Sequence, residues 1–496
     1  MAGYCHDASM ATASKESTGF AQKLDTYFSI SARGSSFGHE VRGGLTTFLT
    51  MVYIVVLNPI ILANVPDNTG SYLGGGTEPA VGAIATATAL IAGLTTILMG
   101  AWARFPIAMA AGLGLNGFVA YGLVGSGMLT WEQAMGLIVL EGIAVLILVL
   151  TKARIAFLRA IPEALKKAIA AGIGLFLAFI AFWDSGVVHD PGAEFDPTPS
   201  EFGQGGYITS WTVVVFFVGL FLAAILMVKK VKGALLLSIL GATVLAFVVQ
   251  AIRPQFWGLN TPTFDGMKFD PMQFTTLFKV DLFGAFSTGD AGVGFVSALM
   301  LVFSLLVVDF FDTMGTMTAV GEEAGLNDAE GIPEHSQEVL IVDSIGAIAG
   351  GLGGVSSNTA YIESASGVGD GARTGLASIV TGVAFLLTMF VTPIAQLIPY
   401  QAATPVLVIV GLMMLSAAVD IDWKDYRIAV PAFLTIVIMP FGFSIAAGIG
   451  VGMIAYVVIN AATGKVKAIK PLMWVTAIAF VIYFMIPALK AWFNIS

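Results

Sequence analysis

Seven polar side chains interrupt stretches that are otherwise strongly apolar: Asn58, Asn116, Glu141, Asp309, Asp312, Asp343 and Glu363. Asp309 and Asp312 fall near the middle of GFVSALMLVFSLLVVDFFDTMGTMTAVG, at a spacing that puts both on one helical face. A carboxylate at a bilayer centre costs at least roughly 2.5–3.5 kcal/mol, so such acids stand where they exchange a proton or answer a hydrogen-bonding ligand. The blander role is a structural hydrogen bond, for example between Asp312 and Thr316 one turn on. Asp312 opens an Asp-Thr-Met-Gly run in which Gly315 lets a ligand or another backbone come close. The substrate–proton site is therefore expected at Asp312, with a structural or coupling role at Asp309. Glu363 closes the alternating run SSNTAYIE and precedes the small, flexible SASGVGDG. That junction suits a carboxylate accepting from a donor-rich ligand, or one that caps its own amides. Asn116 follows GLGL, where Gly114 permits close backbone approach. Asn58-Pro59 reads as a kink, and Glu141 as an interhelical hydrogen bond. Asp343 reads as an acid about one turn inside its span, within reach of the interface.

Asn116 and Glu363 belong to glycine-broken segments, FPIAMAAGLGLNGF and GGLGGVSSNTAYIESASG. Non-helical chain at membrane depth survives only inside protein or along a cavity, because lipid satisfies no backbone group. Two such interruptions in corresponding halves of a chain point to the binding site of a secondary transporter. The halves do correspond: Asn58 precedes Asn116 by 58 residues, and Asp309 precedes Glu363 by 54. Extended chain before Glu363 predicts a short strand leading into a half-helix whose free N–H groups face the cavity. GLGLNG also fits the dinucleotide pattern GxGxxG, but it lies in an apolar stretch with no soluble βαβ unit around it, and that reading is rejected.

Of the 496 residues, 57% are hydrophobic and 11% charged, too little charge to cover a soluble protein of this size. Apolar blocks near bilayer-spanning length fall at 45–64, 82–100, 105–126, 132–150, 164–183, 210–228 and 232–251. A second series follows at 291–320, 338–354, 359–371, 374–396, 402–419, 428–444 and 445–463. Seven per half is odd, so the halves insert with opposite orientation. A further block, 472–493, reads as either an extra span or an interfacial helix. Lys152, Arg154, Arg159, Lys166 and Lys167 in the 151–167 loop, and Lys229, Lys230 and Lys232, mark the cytoplasmic side. The 184–209 loop, with Asp184, Asp190, Glu194, Asp196 and Glu201 and no basic residue, falls outside, and the acidic 321–337 loop falls inside. The amino terminus is expected in the cytoplasm, with the first span as its own insertion signal.

The net charge of −9 resides mostly in loops, and no basic face suggests nucleic acid. Cys5 is the single cysteine, and His6, His39, His189 and His335 form no metal spacing, so no metal or cofactor is expected. No Walker motif appears, which leaves a titrating carboxylate and the proton gradient as the natural coupling device.

Four segments, in order, are similar to signatures of a known family: EVRGGLTTFLTMVYIVVLNPIIL, AMAAGLGLNGFVAYGLVG, VDFFDTMGTMTAVGEEAGL and NTAYIESASGVGDGARTGL. They resemble the nucleobase permeases of the adenine, guanine and hypoxanthine branch of the nucleobase–ascorbate transporter superfamily. The resemblance runs from about Gly38 to Gly464. It implies an all-α polytopic membrane protein of about fourteen spans in a 7+7 inverted repeat, with short strands at the discontinuous spans 3 and 10. A core domain (38–150 and 291–396) would bind substrate, and a gate domain (151–251 and 397–464) would support it. A polar tail (1–37), an extracytoplasmic loop (252–290) and a hydrophobic C-terminal segment (465–496) complete the chain. Proton symport of purine bases at the plasma membrane is implied, often by a homodimer joined through gate domains. The family's eighth-span acids fall on Asp309 and Asp312, its tenth-span glutamate on Glu363, and its third-span Gly-x-Asn on Gly114 and Asn116. Ala111, Leu113 and Gly117 depart from the usual third-span residues, which leaves the polar set intact and the choice among purines open.

Rival functions are an inverted-repeat carrier of sulfate, bicarbonate or a dicarboxylate, a uracil or xanthine permease of the same fold, a passive channel and a membrane-embedded enzyme. An anion site would want positive charge, yet the broken segments carry acids and no lysine, and Arg373 lies beyond the second break. An enzyme would need a metal cluster, a cysteine or a serine–histidine pair within the spans, and none is present.

Overall fold

The computed structural model describes residues 19–151, 160–189, 200–204, 206–254, 262, 273–287, 292–328 and 332–493. Outside the described residues lie Cys5, His6 and Lys15, the loop cations Lys152, Arg154 and Arg159, the loop acids Asp190, Glu194 and Asp196, and most of the 252–290 loop.

Nine described helices are long and apolar enough to cross a bilayer. They are span 1 (Phe37–Ala63), span 2 (Val81–Ala103), span 4 (Trp131–Leu150), span 5 (Glu163–Asp184), span 6 (Trp211–Val228) and span 7 (Ala234–Ile252), then span 8 (Phe295–Ala324), span 12 (Tyr400–Asp420) and span 14 (Ile445–Ala462). Span 9 (Ser336–Gly353), span 11 (Gly375–Thr388) and span 13 (Tyr426–Phe441) are helices beside them. Spans 3 and 10 are the broken ones. Span 3 is strand β1 (Met109–Ala111) followed by a half-helix over Leu113–Val124. Strands β2 (Val188–His189) and β3 (Glu201–Phe202) form a small ribbon after span 5. Span 10 is strand β4 (Asn358–Ala360) followed by the half-helix Ser364–Gly369.

The packing maps onto itself when every span number is shifted by seven. Span 4 lies along span 9, and its counterpart span 11 lies along span 2. Span 6 packs on span 7 as span 13 packs on span 14, and span 5 lies along span 12. Glycine permits these close approaches: a Cβ on Gly174 would strike the Gly411 carbonyl between spans 5 and 12, and one on Gly375 would strike the Gly100 carbonyl between spans 11 and 2. Spans 1–4 and 8–11 thus form one bundle, and spans 5–7 and 12–14 a second.

The two breaks meet in the middle of the first bundle. β1 and β4 pair antiparallel, Met109 opposite Ala360 and Ala111 opposite Asn358. Gly112 N–H donates to the Ser357 carbonyl at 2.9 Å, and Tyr361 N–H to the Ala108 carbonyl at 3.0 Å. Backbone groups that a broken helix leaves free are therefore satisfied by the other break.

The chain before span 1 lies against one face of the molecule, called here the N-terminal face. Arg33 donates to the Arg104 and Arg373 carbonyls and pairs with Glu334 at 2.7 Å. The last helix, Pro471–Phe493, packs along span 14 and also touches span 8, with Phe480 against Phe303 and beside Gly450. That helix, left open by the sequence, runs beside spans through its apolar face.

Candidate functional site

Asp312 and Glu363, from different spans, stand beside each other where the second break opens. The Glu363 charge acts on Asp312, and both act on the hydroxyl of Tyr361. Asp312 is exposed although it belongs to a span. Gly315, Ala319 and Glu322 continue that exposed face toward the N-terminal end of the molecule, and a Cβ on Gly315 would meet nothing. Val296 and Leu299, exposed apolar residues of the same helix, lie on its roughly opposite side at 100° per residue. The exposed Asp312 face, called the crevice below, is thus distinct from the exposed apolar positions of the same helix. On span 10, Ile362, Ser366 and Gly369 are exposed at helical spacing.

Glu363 stands at the start of its six-residue half-helix and makes no capping bond. Its carboxylate accepts a hydrogen bond from Tyr53 at 2.6 Å instead. Tyr53 marks the point where span 1 breaks between Phe37–Met51 and Ile54–Ala63, ahead of Pro59. Tyr361 donates to the Ala111 carbonyl at 2.6 Å and fastens the two breaks together.

The other expected site residues occupy different places. Asn116 is fully buried, and its amide donates to Asn58 at 2.6 Å. Asn58 in turn donates to Thr88 at 2.8 Å and to the Val355 carbonyl at 3.2 Å. Asn58 is thus a contact residue as well as the neighbour of a proline. Gly114 lets the span 3 half-helix press on span 5, since a Cβ there would strike Ile173. Asp309 is fully buried one turn from Asp312. Asp343 does not reach the interface: it is fully buried and accepts from Thr313 at 2.8 Å and from Ala360 N–H at 3.2 Å. Glu141 lies against Asp309 of span 8 and Ser357, the interhelical neighbours expected of it, without meeting ordinary hydrogen-bond geometry to either. Thr316 carries no hydrogen bond to Asp312 among the described residues; Thr313, one residue on, is bonded to Asp343 and Thr359.

Tyr53, Tyr361, Thr313 and Ser357 are polar residues of this region that sequence patterns did not single out. Tyr361 sits two residues before Glu363 in an alternating run, which is a usable signal. Tyr53 is 310 residues from its partner, and nothing local announces it.

Contacts between the two bundles differ at the two ends of the seam. Away from the N-terminal face, Tyr121 of span 3 and Tyr400 of span 12 both donate to Asp184 of span 5, at 3.0 and 2.7 Å, and touch each other. A cavity of about 490 Å³, lined by Asn64, Glu78, Gln273 and Gln396, ends at Tyr400. At the N-terminal face, Lys166 lies over the Phe311 ring at 5.0 Å, and Lys232 pairs with Asp370. The Lys232 ammonium, then Thr46, hold the Asp370 carboxyl below the usual carboxylate range. No group of three His, Cys, Asp or Glu converges at metal-binding geometry among the described residues.

The Permease family (Xan_ur_permease) matches residues 38–451. Adenine permease AdeP of Escherichia coli (strain K12) is 36% identical over 460 residues, covering 92% of this chain and 95% of that protein. Guanine/hypoxanthine permease PbuG of Bacillus subtilis (strain 168) is 36% identical over 468 residues, covering 93% and 99%. Among solved structures, the transmembrane domain of the cyanobacterial bicarbonate transporter BicA superposes with a TM-score of 0.57 at 15% identity, covering 83% of this chain and 97% of that one. The murine Slc26a9 anion transporter in its inward-facing state superposes with a TM-score of 0.57 at 13% identity, covering 93% and 77%. At those identities the likeness is one of fold, the inverted-repeat transporter architecture. The chain therefore belongs to the Permease family: it is a multi-pass membrane transporter and not an enzyme.

Proposed function

We propose that the protein takes up purine nucleobases, adenine, guanine or hypoxanthine, by proton symport across the plasma membrane, with the N-terminal face in the cytoplasm. The observation that carries this reading is the pair Asp312 and Glu363, side by side on an open crevice with no cation among the charges acting on them. A purine is flat and largely apolar, with N–H donors along its edge, and two carboxylates are acceptors matched to those donors. Relatives named as adenine and guanine/hypoxanthine permeases, at 36% identity over nearly the whole chain, support the same substrate class. An anion is disfavoured for want of positive charge at the crevice, although transporters of bicarbonate and other anions share the fold.

Asp312 and Glu363 would bind substrate and Asp309 would link binding to the proton, with Gly114 and Asn116 shaping the first break. Lys166, Lys167, Lys229, Lys230 and Lys232 at the N-terminal face support its cytoplasmic placement. In the described conformation the crevice leads from the site toward that face, and the Tyr121–Asp184–Tyr400 contact closes the seam at the other end. Rocking of one bundle against the other would reverse this. Pairing of two copies through the gate spans belongs to the same reading and is checked by crosslinking in membranes.

Uptake of labelled adenine, guanine, hypoxanthine, uracil and sulfate by cells lacking their own carriers tests the proposal. Purine uptake that collapses with a protonophore is expected. Uptake of sulfate, or of uracil alone, contradicts the substrate class, and uptake that ignores the protonophore and tracks sodium contradicts the coupling.

A further inference from the structure

Behind the open pair lies a second set of acids that purine recognition does not use. Glu141 of span 4, Asp309 of span 8 and Asp343 of span 9 are each fully buried. Glu141 lies against Asp309 and within range of Asp343, and Asp309 acts on Asp343. Only one oxygen of the three groups is satisfied: Asp343 Oδ1 receives Thr313, Ala360 N–H and, at 3.4 Å, Thr359. The other Asp343 oxygen and all four oxygens of Glu141 and Asp309 meet no donor in ordinary hydrogen-bond geometry. The Ser357 hydroxyl is also buried without a partner, and it lies against both Glu141 and Asp309.

Three like charges packed together in a medium of low polarity do not all persist. The neighbouring elements offer no relief. Span 2 and the turn Gly284–Phe286 bring no titratable side chain, and Tyr121 on the span 3 half-helix is engaged with Asp184. The remaining acid in reach is Asp312, and no lysine, arginine or histidine is among the groups acting on the cluster. The oxygens do not converge as a metal shell. What the cluster lacks is a proton that two carboxyl oxygens share, with Ser357 as a further donor.

We propose that Glu141, Asp309 and Asp343, with Ser357, form a proton-binding site separate from the substrate pair, and that this site holds the transported proton. The proposal rests on the symport reading above and deepens it. Asp312 faces the crevice one turn from Asp309, so a proton entering from solvent passes from Asp312 to Asp309 and on to Glu141 and Asp343. There it converts one carboxylate into a neutral acid, and on release it leaves by the same oxygens. Coupling to substrate follows from the bonds of Asp343. It holds Thr313, next to Asp312, and Ala360 N–H, three residues before Glu363, so a changed charge on Asp343 is felt on both sides of the crevice.

The full chain in proteoliposomes, with labelled adenine, guanine and hypoxanthine as probes, tests this through two readouts. One is counterflow, the exchange of labelled for unlabelled purine, which needs no net proton movement. The other is accumulation under an imposed pH gradient, with proton uptake followed in parallel. Glu141→Gln is expected to keep counterflow and to lose both accumulation and substrate-linked proton uptake. Glu141→Gln that accumulates purine and takes up protons like the parent overturns the proposal. Should that variant fail to insert, Asp343→Asn and Ser357→Ala replace it. Asp343→Asn is expected to lose accumulation with counterflow kept, and Ser357→Ala to shift the pH profile of uptake; parental behaviour in both overturns the proposal equally. A parent that exchanges purine without moving protons removes the symport reading itself, and accumulation that follows a sodium gradient at fixed pH reassigns the cluster to sodium.

Discussion

The two halves of the core bundle repeat one another in backbone and differ in chemistry. In the first, the polar residues of spans 1 and 3 are amides, Asn58 and Asn116, both fully buried and bonded to each other at 2.6 Å. In the second, the residues of spans 8 and 10 are acids, with Asp312 exposed and Glu363 half-buried. An amide pair bonded in this way locks two segments together, although the Asn116 oxygen itself meets no donor. A carboxylate pair repels and leaves acceptors unfilled, which is the condition of a site awaiting donors. On the proposed function the first repeat is a brace and the second would carry recognition, a division that the pseudo-symmetry of the fold conceals.

The largest effect that would break this comparison is expected at span 8. Asp312→Asn should abolish purine binding, whereas Asp309→Asn should bind purine and lose proton-driven accumulation; equilibrium binding measured beside uptake separates the two. The reverse pattern exchanges their roles, and parental transport by both removes span 8 from the site. On the other side of the comparison, Asn116→Ala strands a buried amide and should cost about 1–3 kcal/mol of stability. Thermal unfolding in detergent reads that loss. A change confined to affinity, with the melting temperature kept, would make Asn116 a ligand and not a brace.

Smaller effects sharpen the picture. Tyr53→Phe removes one donor from Glu363 and should change purine affinity by about 0.5–1.5 kcal/mol, severalfold in the dissociation constant. Least of all is expected from Asp370 within the neutral range. Its carboxyl titrates below the usual value of about 3.9, so the stability from Lys232 is complete above that pH and is lost only as pH falls through the lower, folded value. Melting temperatures of the parent and of Lys232→Ala should therefore differ by a constant amount between about pH 5 and 8. A difference that changes within that window contradicts the assignment.

Both breaks were legible in the sequence because lipid forbids open backbone, so glycine-rich, polar-bearing stretches inside apolar blocks have few alternatives. The acids of spans 8 and 10 were legible for the same reason. Which of them face the crevice was not, because that depends on rotation of a helix within its bundle. Asn58 looked like a proline-linked kink, since its partner Asn116 arrives only through the fold, and Asp343 looked interfacial because depth along a helix says nothing about what packs over it. Tyr53 had no signal at all: its hydroxyl matters through a glutamate from the opposite repeat.

Purine binding to correctly inserted Glu363→Gln tests the central claim most directly, with the best-bound of adenine, guanine and hypoxanthine as ligand. The substitution keeps the shape of the side chain and the acceptor for Tyr53 but removes the charge that a purine donor would meet. Loss of a charge-assisted hydrogen bond of about 1.5–3 kcal/mol predicts a dissociation constant raised by roughly 10- to 150-fold. A dissociation constant equal to the parent's would place recognition elsewhere and contradict the account.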